Sequence, residues 1–118
     1  EGVHVVEGVS LADDQPLAAF RSIFPAARFP TLPEVLREMG SITAALGASG
    51  LADYTRAETR LTATLADPVQ ALALQLRPGA ALLRSVAVNV DAGGVPVELG
   101  TTWFAGDRVT LTVSSDQA

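Results

Sequence analysis

The chain has no cysteine and no lysine, and among its 118 residues there are only one histidine, one tryptophan, one tyrosine and four phenylalanines. Without cysteine there can be no disulfide, thiolate metal site or cysteine nucleophile. The lone histidine, His4, lies near the N-terminus, which argues against a histidine-based triad or a multi-histidine metal site. No cofactor is expected. All eight basic residues are arginine, which together with the abundance of alanine reads as GC-rich coding. The net charge of −5 argues against this segment gripping nucleic acid by itself. No apolar run approaches membrane-spanning length and no signal-peptide pattern is present, so a cytoplasmic domain with no membrane partner is expected. Few aromatics but 48% apolar residues indicate a core of Ala, Leu and Val, in a chain long enough for one domain.

The stretch that organises the remainder is Tyr54–Leu65. As a β-strand, it alternates its side chains between two faces. Tyr54, Arg56, Glu58, Arg60, Thr62 and Thr64 fall on one face, and Thr55, Ala57, Thr59, Leu61, Ala63 and Leu65 on the other. Strand residues two apart are ~6.5–7 Å apart, so Arg56 and Arg60 are candidates to converge on one small anion as planar donor forks. The plainer alternative is a solvated face on which Glu58 balances two arginines.

Around this strand, Val3, Val5 and Val6 suggest a short strand, and Ala12–Pro16 a turn or linker. Residues 17–29 are ambiguous. Thr31 and Glu34 predict a capped helix start, followed by an apolar stripe of Leu32, Val35, Leu36 and Met39 that Gly40 ends. Ser41 opens a second short helix carrying Ile42, Ala45 and Leu46. Asp67-Pro68 starts a third, with Val69, Leu72, Ala73 and Leu76 as its expected buried stripe. Residues 81–90 and 95–104 read as strands joined by a hairpin at Asp91–Gly94. Arg108–Val113 is expected as a last strand, and the residues from Ser114 as a frayed tail. The sum is an α+β domain with a mostly antiparallel sheet and helices on one face.

Four features have the chemistry of a small-molecule pocket. They are the Ser41 helix start, the Arg56/Arg60 pair, Ser85 and Asn89, and Glu98 with Thr101 or Thr102. The ordinary alternatives are a simple Ser cap, a hairpin-shaping role for Asn89 and Asp91, and exposed ion pairs worth ~0–1 kcal/mol for Glu98 or Arg108. A small enzyme using Glu98 as acid or base would need a nucleophile, a metal set or a second paired carboxylate. None is evident, so sensing is favoured over catalysis.

Several segments carry a family likeness: ARFP at Ala27–Pro30, GSITAAL at Gly40–Leu46, GLADYTRAETRLTA at Gly50–Ala63 and VNVDAGGVPVELGTTWFAGDRVTL at Val88–Leu111. On these, nearly the whole chain resembles the UTRA domain, the effector-binding domain of HutC-type GntR-family transcription regulators. It is most similar to the regulators of phosphonate metabolism. The resemblance implies a chorismate-lyase-like fold, an antiparallel β-sheet with flanking helices. It implies residues 1–16 as the end of a wing and a linker from a missing N-terminal winged-helix DNA-binding domain, and 17–118 as the effector-binding domain. It further implies a homodimer that meets DNA only through that missing domain and is allosterically controlled by a small anionic effector, a phosphonate, phosphate or phosphate ester. The candidate ligand-binding set is Ser41, Ile42, Thr43, Tyr54, Arg56, Arg60, Asn89, Glu98 and Thr101. Two arginines that other members carry on the strand matching residues 81–90 fall here on Ala87 and Asn89, which leaves Arg56 and Arg60 as the expected anion holders. A small chorismate-lyase-like enzyme and a ligand-free dimerisation module are the competing readings.

Overall fold

The computed structural model describes residues 2–51 and 53–114. Glu1, Ala52 (within the Gly50–Ala63 run) and the tail residues 115–118 lie outside the described residues. The elements run β1 (Val3–Ala12), β2 (Gln15–Pro25), α1 (Leu32–Met39), α2 (Ile42–Ala48), β3 (Tyr54–Leu65), α3 (Pro68–Leu74), β4 (Ala81–Asp91) and β5 (Pro96–Ala105). The strands form one five-stranded sheet in the order β1-β2-β5-β4-β3, with every neighbouring pair antiparallel. The α+β class with an antiparallel sheet is thus as the sequence suggests.

The first strand is longer than expected. Residues 3–12 pair with β2 along their length, through a two-residue turn at Asp13-Asp14. Both aspartates have positive φ, 50° and 67°, the backbone that a tight hairpin of this hand needs and that Asp tolerates better than most residues. The ambiguous segment 17–29 resolves mainly into β2, whose buried Ala18, Ser22 and Phe24 alternate along one face.

Helices α1 and α2 lie over that face. Their apolar sides, with Phe24, Phe29 and Val97, form the main core, in which Phe24, Ala45, Leu46 and Val97 are fully buried. Phe24 and Phe29 meet edge to face at 6.4 Å between centroids, a favoured aromatic geometry. Thr31 makes no side-chain cap hydrogen bond, contrary to the expected capping box. The α1 start rests instead on Pro33 in the first turn and on Val35 N–H donating to the Thr31 carbonyl at 3.1 Å. Gly40 ends α1 with φ 69°, the left-handed cap for which glycine carries no steric cost.

The third helix packs on the opposite face of the sheet, in a second core of Ala66, Ala71, Leu74 and Leu82 flanked by Ala19 and Trp103. Leu82, Ala19 and Trp103 alternate out of phase with Ser22, Phe24 and Asn89, so the expectation of helices on one face is corrected. Its start carries a full capping box between Asp67 and Gln70, with bonds of 2.7 and 3.0 Å. The expected stripe is corrected here: Val69 and Leu72 are 77% and 83% exposed, while Ala71 and Leu74 are buried. The helix stops at Leu74 because Gln75 turns left-handed at φ 55°. Leu76 therefore folds back, its N–H donating to the Ala71 carbonyl at 2.8 Å, instead of extending the stripe.

The expected strand at Arg108–Val113 is also corrected. Residues 109–114 join no ladder. The Arg108 side chain turns inward, donating to the carbonyls of Pro16 and Leu74 at 2.8 Å and of Gln75 at 3.0 Å. A guanidinium on the last carbonyls of a helix satisfies orphan acceptors and the negative end of its dipole. Held there, the chain continues over the sheet, where Leu111, Thr112 and Val113 line a cleft with Leu61, Ser85 and Phe104. The surface ion pair weighed for Arg108 is replaced by a tie between β2, α3 and the chain end.

Truncating the buried side of α3 should destabilise far more than truncating its exposed side. Leu74→Ala is expected to cost about 2–5 kcal/mol, as buried Leu→Ala changes do, and Leu72→Ala no more than about 0.5 kcal/mol. Urea unfolding of both variants checks this, and equal losses would restore the stripe read from the sequence.

Candidate functional site

Asn89, in β4, is one of the few buried polar residues, at 8% exposure. Its register partners are Arg56 on β3 and Glu98 on β5. Residues directly opposite one another on neighbouring antiparallel strands project to the same face, so the three side chains form one row across the sheet. The Asn89 amide is used at both ends. Its Oδ1 accepts from Arg56 Nε at 3.4 Å, and its Nδ2 donates to Glu98 Oε1 at 3.1 Å.

A bulge flanks Asn89 on each side. The β3 register breaks between Arg56 and Glu58, leaving Ala57 without a partner. The β5 register breaks where Asn89 pairs with Glu98 but Val90 pairs with Pro96, leaving Val97 unpaired. A bulge adds one residue to a strand and re-aims the side chains beyond it. On β5 it allows Val97 to enter the main core while its neighbour Glu98 lines a cleft. On β3 it shifts the alternation. Arg56 stays with Asn89, while Arg60 pairs with Val86, in the row that continues to Thr101 and Arg21. That row is on the opposite face of the sheet.

The expectation that Arg56 and Arg60 share a face is therefore corrected. Arg60 is bonded to Glu58 through Nε–Oε2 at 2.5 Å and is largely exposed. Thr101 likewise lies on the face away from Asn89. The structure brings together Ile42, Thr43, Tyr54, Arg56, Asn89 and Glu98, which line an open cleft of about 490 Å³ between α2 and the β3-β4-β5 end of the sheet. Thr43 Oγ1 and Tyr54 Oη are 3.3 Å apart across it. Ser41 is just outside, in an adjoining cleft of about 370 Å³ with Val6, Phe20 and Leu36 that shares Ile42 and Thr43. Its hydroxyl accepts from the Ala44 N–H at 3.3 Å as the α2 cap. Ser85 lines the third cleft, under residues 111–113.

Arg28 and Asp91 close the hairpin end of this region. Being 63 positions apart, they are not a pair that sequence spacing suggests, yet they bond at 2.6 Å, while Arg28 stacks 5.7 Å from the Phe29 ring centroid. Asp91 Oδ1 also accepts from the N–H groups of Gly93 and Val95, both at 2.9 Å. The Val95 N–H, then the Arg28 side chain and the Gly93 N–H, hold the Asp91 carboxyl below the ordinary carboxylate range. Among the described residues no cluster of His, Cys, Asp or Glu fits a metal ion, and no helix is long and apolar enough to cross a membrane.

The UTRA domain model matches residues 1–110. The chain belongs to the UTRA domain family. An uncharacterized HTH-type transcriptional regulator of Rhizobium meliloti is 40% identical over 107 residues, which are 91% of this chain and 44% of that protein. The chain thus spans less than half the length of that relative. PhnF from Mycobacterium smegmatis is 25% identical, with a TM-score of 0.83 over 95% of this chain and 49% of its own. A GntR-family transcriptional regulator from Enterococcus faecalis is 20% identical, with a TM-score of 0.74 over 97% of this chain and 96% of its own. The UTRA domain thus shares its fold with GntR-type regulators. Two of these relatives are named as transcriptional regulators.

Asp91 makes a pH-dependent contribution to stability. A carboxyl whose pKa is lower in the folded than in the unfolded state stabilises the fold at neutral pH, and this is lost as the pH falls through its folded value. Asp91→Asn is expected to be less stable than the parent at pH 7, with the gap closing as the pH drops below about 4, the ordinary carboxylate range. Urea midpoints across that range read this directly; a gap that does not change with pH would rule the charge out.

Proposed function

We propose that this UTRA domain is the effector-sensing and dimerisation part of a HutC-type GntR regulator, and that its effector is a small phosphonate, phosphate or phosphate ester bound in the Asn89 cleft. The observation that carries the reading is Arg56. Its Nε is engaged by Asn89, and it forms no ion pair among the described residues. Arg56 lines the cleft, and a guanidinium is a planar donor fork of the kind that suits a tetrahedral oxyanion. Thr43 supplies a hydroxyl from α2 and Tyr54 one from β3 beside Arg56. A ligand-free dimerisation module fits less well, since it gives no reason for a polar row in a cleft otherwise walled by Ile42 and Tyr54.

Control of DNA binding is a matter of linkage. A ligand that touches both α2 and the sheet favours whichever arrangement of the two it fits better, and shifts the equilibrium by its difference in affinity. DNA contact itself is assigned to a winged-helix domain outside this sequence. The dimer partner is a second copy of this chain, on the face of the sheet away from α1 and α2. There Val5, Ile23, Leu99 and Val88 form one row across four strands, and Val5 and Leu99 are 45% and 40% exposed. The row beside it carries Arg21 with Glu7, and Arg60 beside Glu58, so both signs of charge border the apolar strip and a two-fold pairing can match them.

Removing Arg56 should weaken phosphorus-oxyanion binding by about tenfold or more, since a charge-assisted contact is worth roughly 1.5–3 kcal/mol. Arg60→Ala should leave affinity unchanged to within about twofold. Calorimetry with phosphate and methylphosphonate tests both; loss of binding in the Arg60 variant alone would move the site to the other face, and no binding by the parent would discard the effector class. In sedimentation velocity at micromolar concentration the parent should run as a dimer and Leu99→Glu as a monomer, whereas a monomeric parent would remove the proposed interface.

A further inference from the structure

We infer that the effector carries an ammonium group as well as an oxyanion, and that Glu98 is the residue that reads it. This rests on the reading of the Asn89 cleft as an oxyanion site and narrows the class of ligand it takes. Arg56 and Glu98 line the same cleft but stand on strands separated by β4. Neighbouring strands are ~4.8 Å apart, so their backbones are about 10 Å apart. They form no ion pair with each other. Asn89 bridges them, oxygen toward the cation and nitrogen toward the anion, the one orientation of the amide that satisfies both charges. The row is thus a fixed donor and a fixed acceptor held apart by a buried spacer.

Among the described residues Glu98 forms no ion pair. Arg28 is committed to Asp91 at 2.6 Å, and Arg60 to Glu58 on the other face. A ligand that was only an anion would seat its charge at Arg56 in the same small cleft as an unneutralised carboxylate, and like charges at close range oppose binding. A ligand with an oxyanion at one end and an ammonium at the other meets both groups in the sense their charges require. Ile42 and Tyr54 line the same cleft and offer apolar surface to a short carbon chain linking the two ends.

Three probes matched in length separate the terms: ethylphosphonate, 2-hydroxyethylphosphonate and 2-aminoethylphosphonate. Titration calorimetry at pH 7, where the amine is protonated, is run on the parent chain and on Glu98→Gln. Glutamine retains the carbonyl oxygen that accepts from Asn89, so the row is kept and only the charge is removed. The parent is expected to bind the aminoethyl compound about tenfold or more tighter than the other two, as a charge-assisted contact provides. In Glu98→Gln that preference should fall to within about twofold, with ethylphosphonate binding at least as tightly as to the parent. If ethylphosphonate or the hydroxyl compound matches the amine in the parent, or the preference survives in Glu98→Gln, the ammonium inference is overturned while the oxyanion reading stands. Absence of binding by all three probes to both proteins overturns the two together.

Discussion

The candidate site depends on the buried amide of Asn89 being satisfied at both ends. A polar group taken out of water without partners costs on the order of 1–3 kcal/mol, so burial of Asn89 at 8% exposure requires an acceptor-seeking group on one side and a donor-seeking group on the other. Arg56 and Glu98 fill those roles only because a bulge on each neighbouring strand adjusts the local alternation. On β5 the extra residue lets Val97 enter the main core and Glu98 face the cleft. On β3 the break after Arg56 sends the rest of that strand to the other phase. Bulges concentrate beside functional sites for this reason, and here two of them bracket one residue.

The surrounding fold supports that row at some distance. The hairpin beyond β4 is closed by Asp91, which takes two backbone N–H groups and the Arg28 guanidinium on one carboxylate. Arg28 belongs to the segment leading into α1, so this one side chain ties the sheet hairpin to the helical layer above the cleft. At the other end, Arg108 draws three carbonyls from β2 and α3 together. The two arginines act as fasteners within the fold, Arg60 pairs locally, and Arg56 alone is left facing the cleft. Arginine is suited to these different tasks because its planar fork can serve several acceptors at once.

Much of this was legible in the residues. Helix termini were, where local chemistry decides them: Gly40 after α1, Ser41 and Asp67 as side-chain caps, and the Asp91–Gly94 hairpin are all set by contacts within a few positions. The alternation of 81–90 was legible too, and Arg56, Asn89 and Glu98, read as candidates, line one cleft. What was not legible depended on non-local pairing. A bulge is one unpaired residue, and nothing in YTRAETR distinguishes Ala57 from its neighbours until β4 lies beside it. Strict alternation therefore joined Arg60 to Arg56. Thr101 failed for the same reason, since its face is set by register with β2 and β4. The α3 stripe failed because helix length, ended by Gln75, decided which two positions met Leu82. Residues 109–113 alternate as a strand would, but the inward turn of Arg108 carries them off the ladder.

The geometry also limits how an effector can act. The cleft has one wall on the sheet, where β3, β4 and β5 are joined by continuous ladders, and the other on α2, a helix of seven residues set between Gly40 and Gly50. Ala45 and Leu46 anchor α2 in the core, while Ser41 and Thr43 are exposed. A ligand held by Arg56 and Glu98 is referenced to the rigid wall. If the domain has two arrangements that differ in the placement of α2, only the ligand's contacts with Ile42 and Thr43 would differ between them, and a ligand that reached the sheet row alone would shift nothing. On the proposed reading, affinity and signal are assigned to different sides of the same cleft. On that reading, substitutions at Arg56 are expected to act first on binding, and substitutions at Thr43 first on the coupling between an occupied cleft and whatever α1 and α2 are joined to.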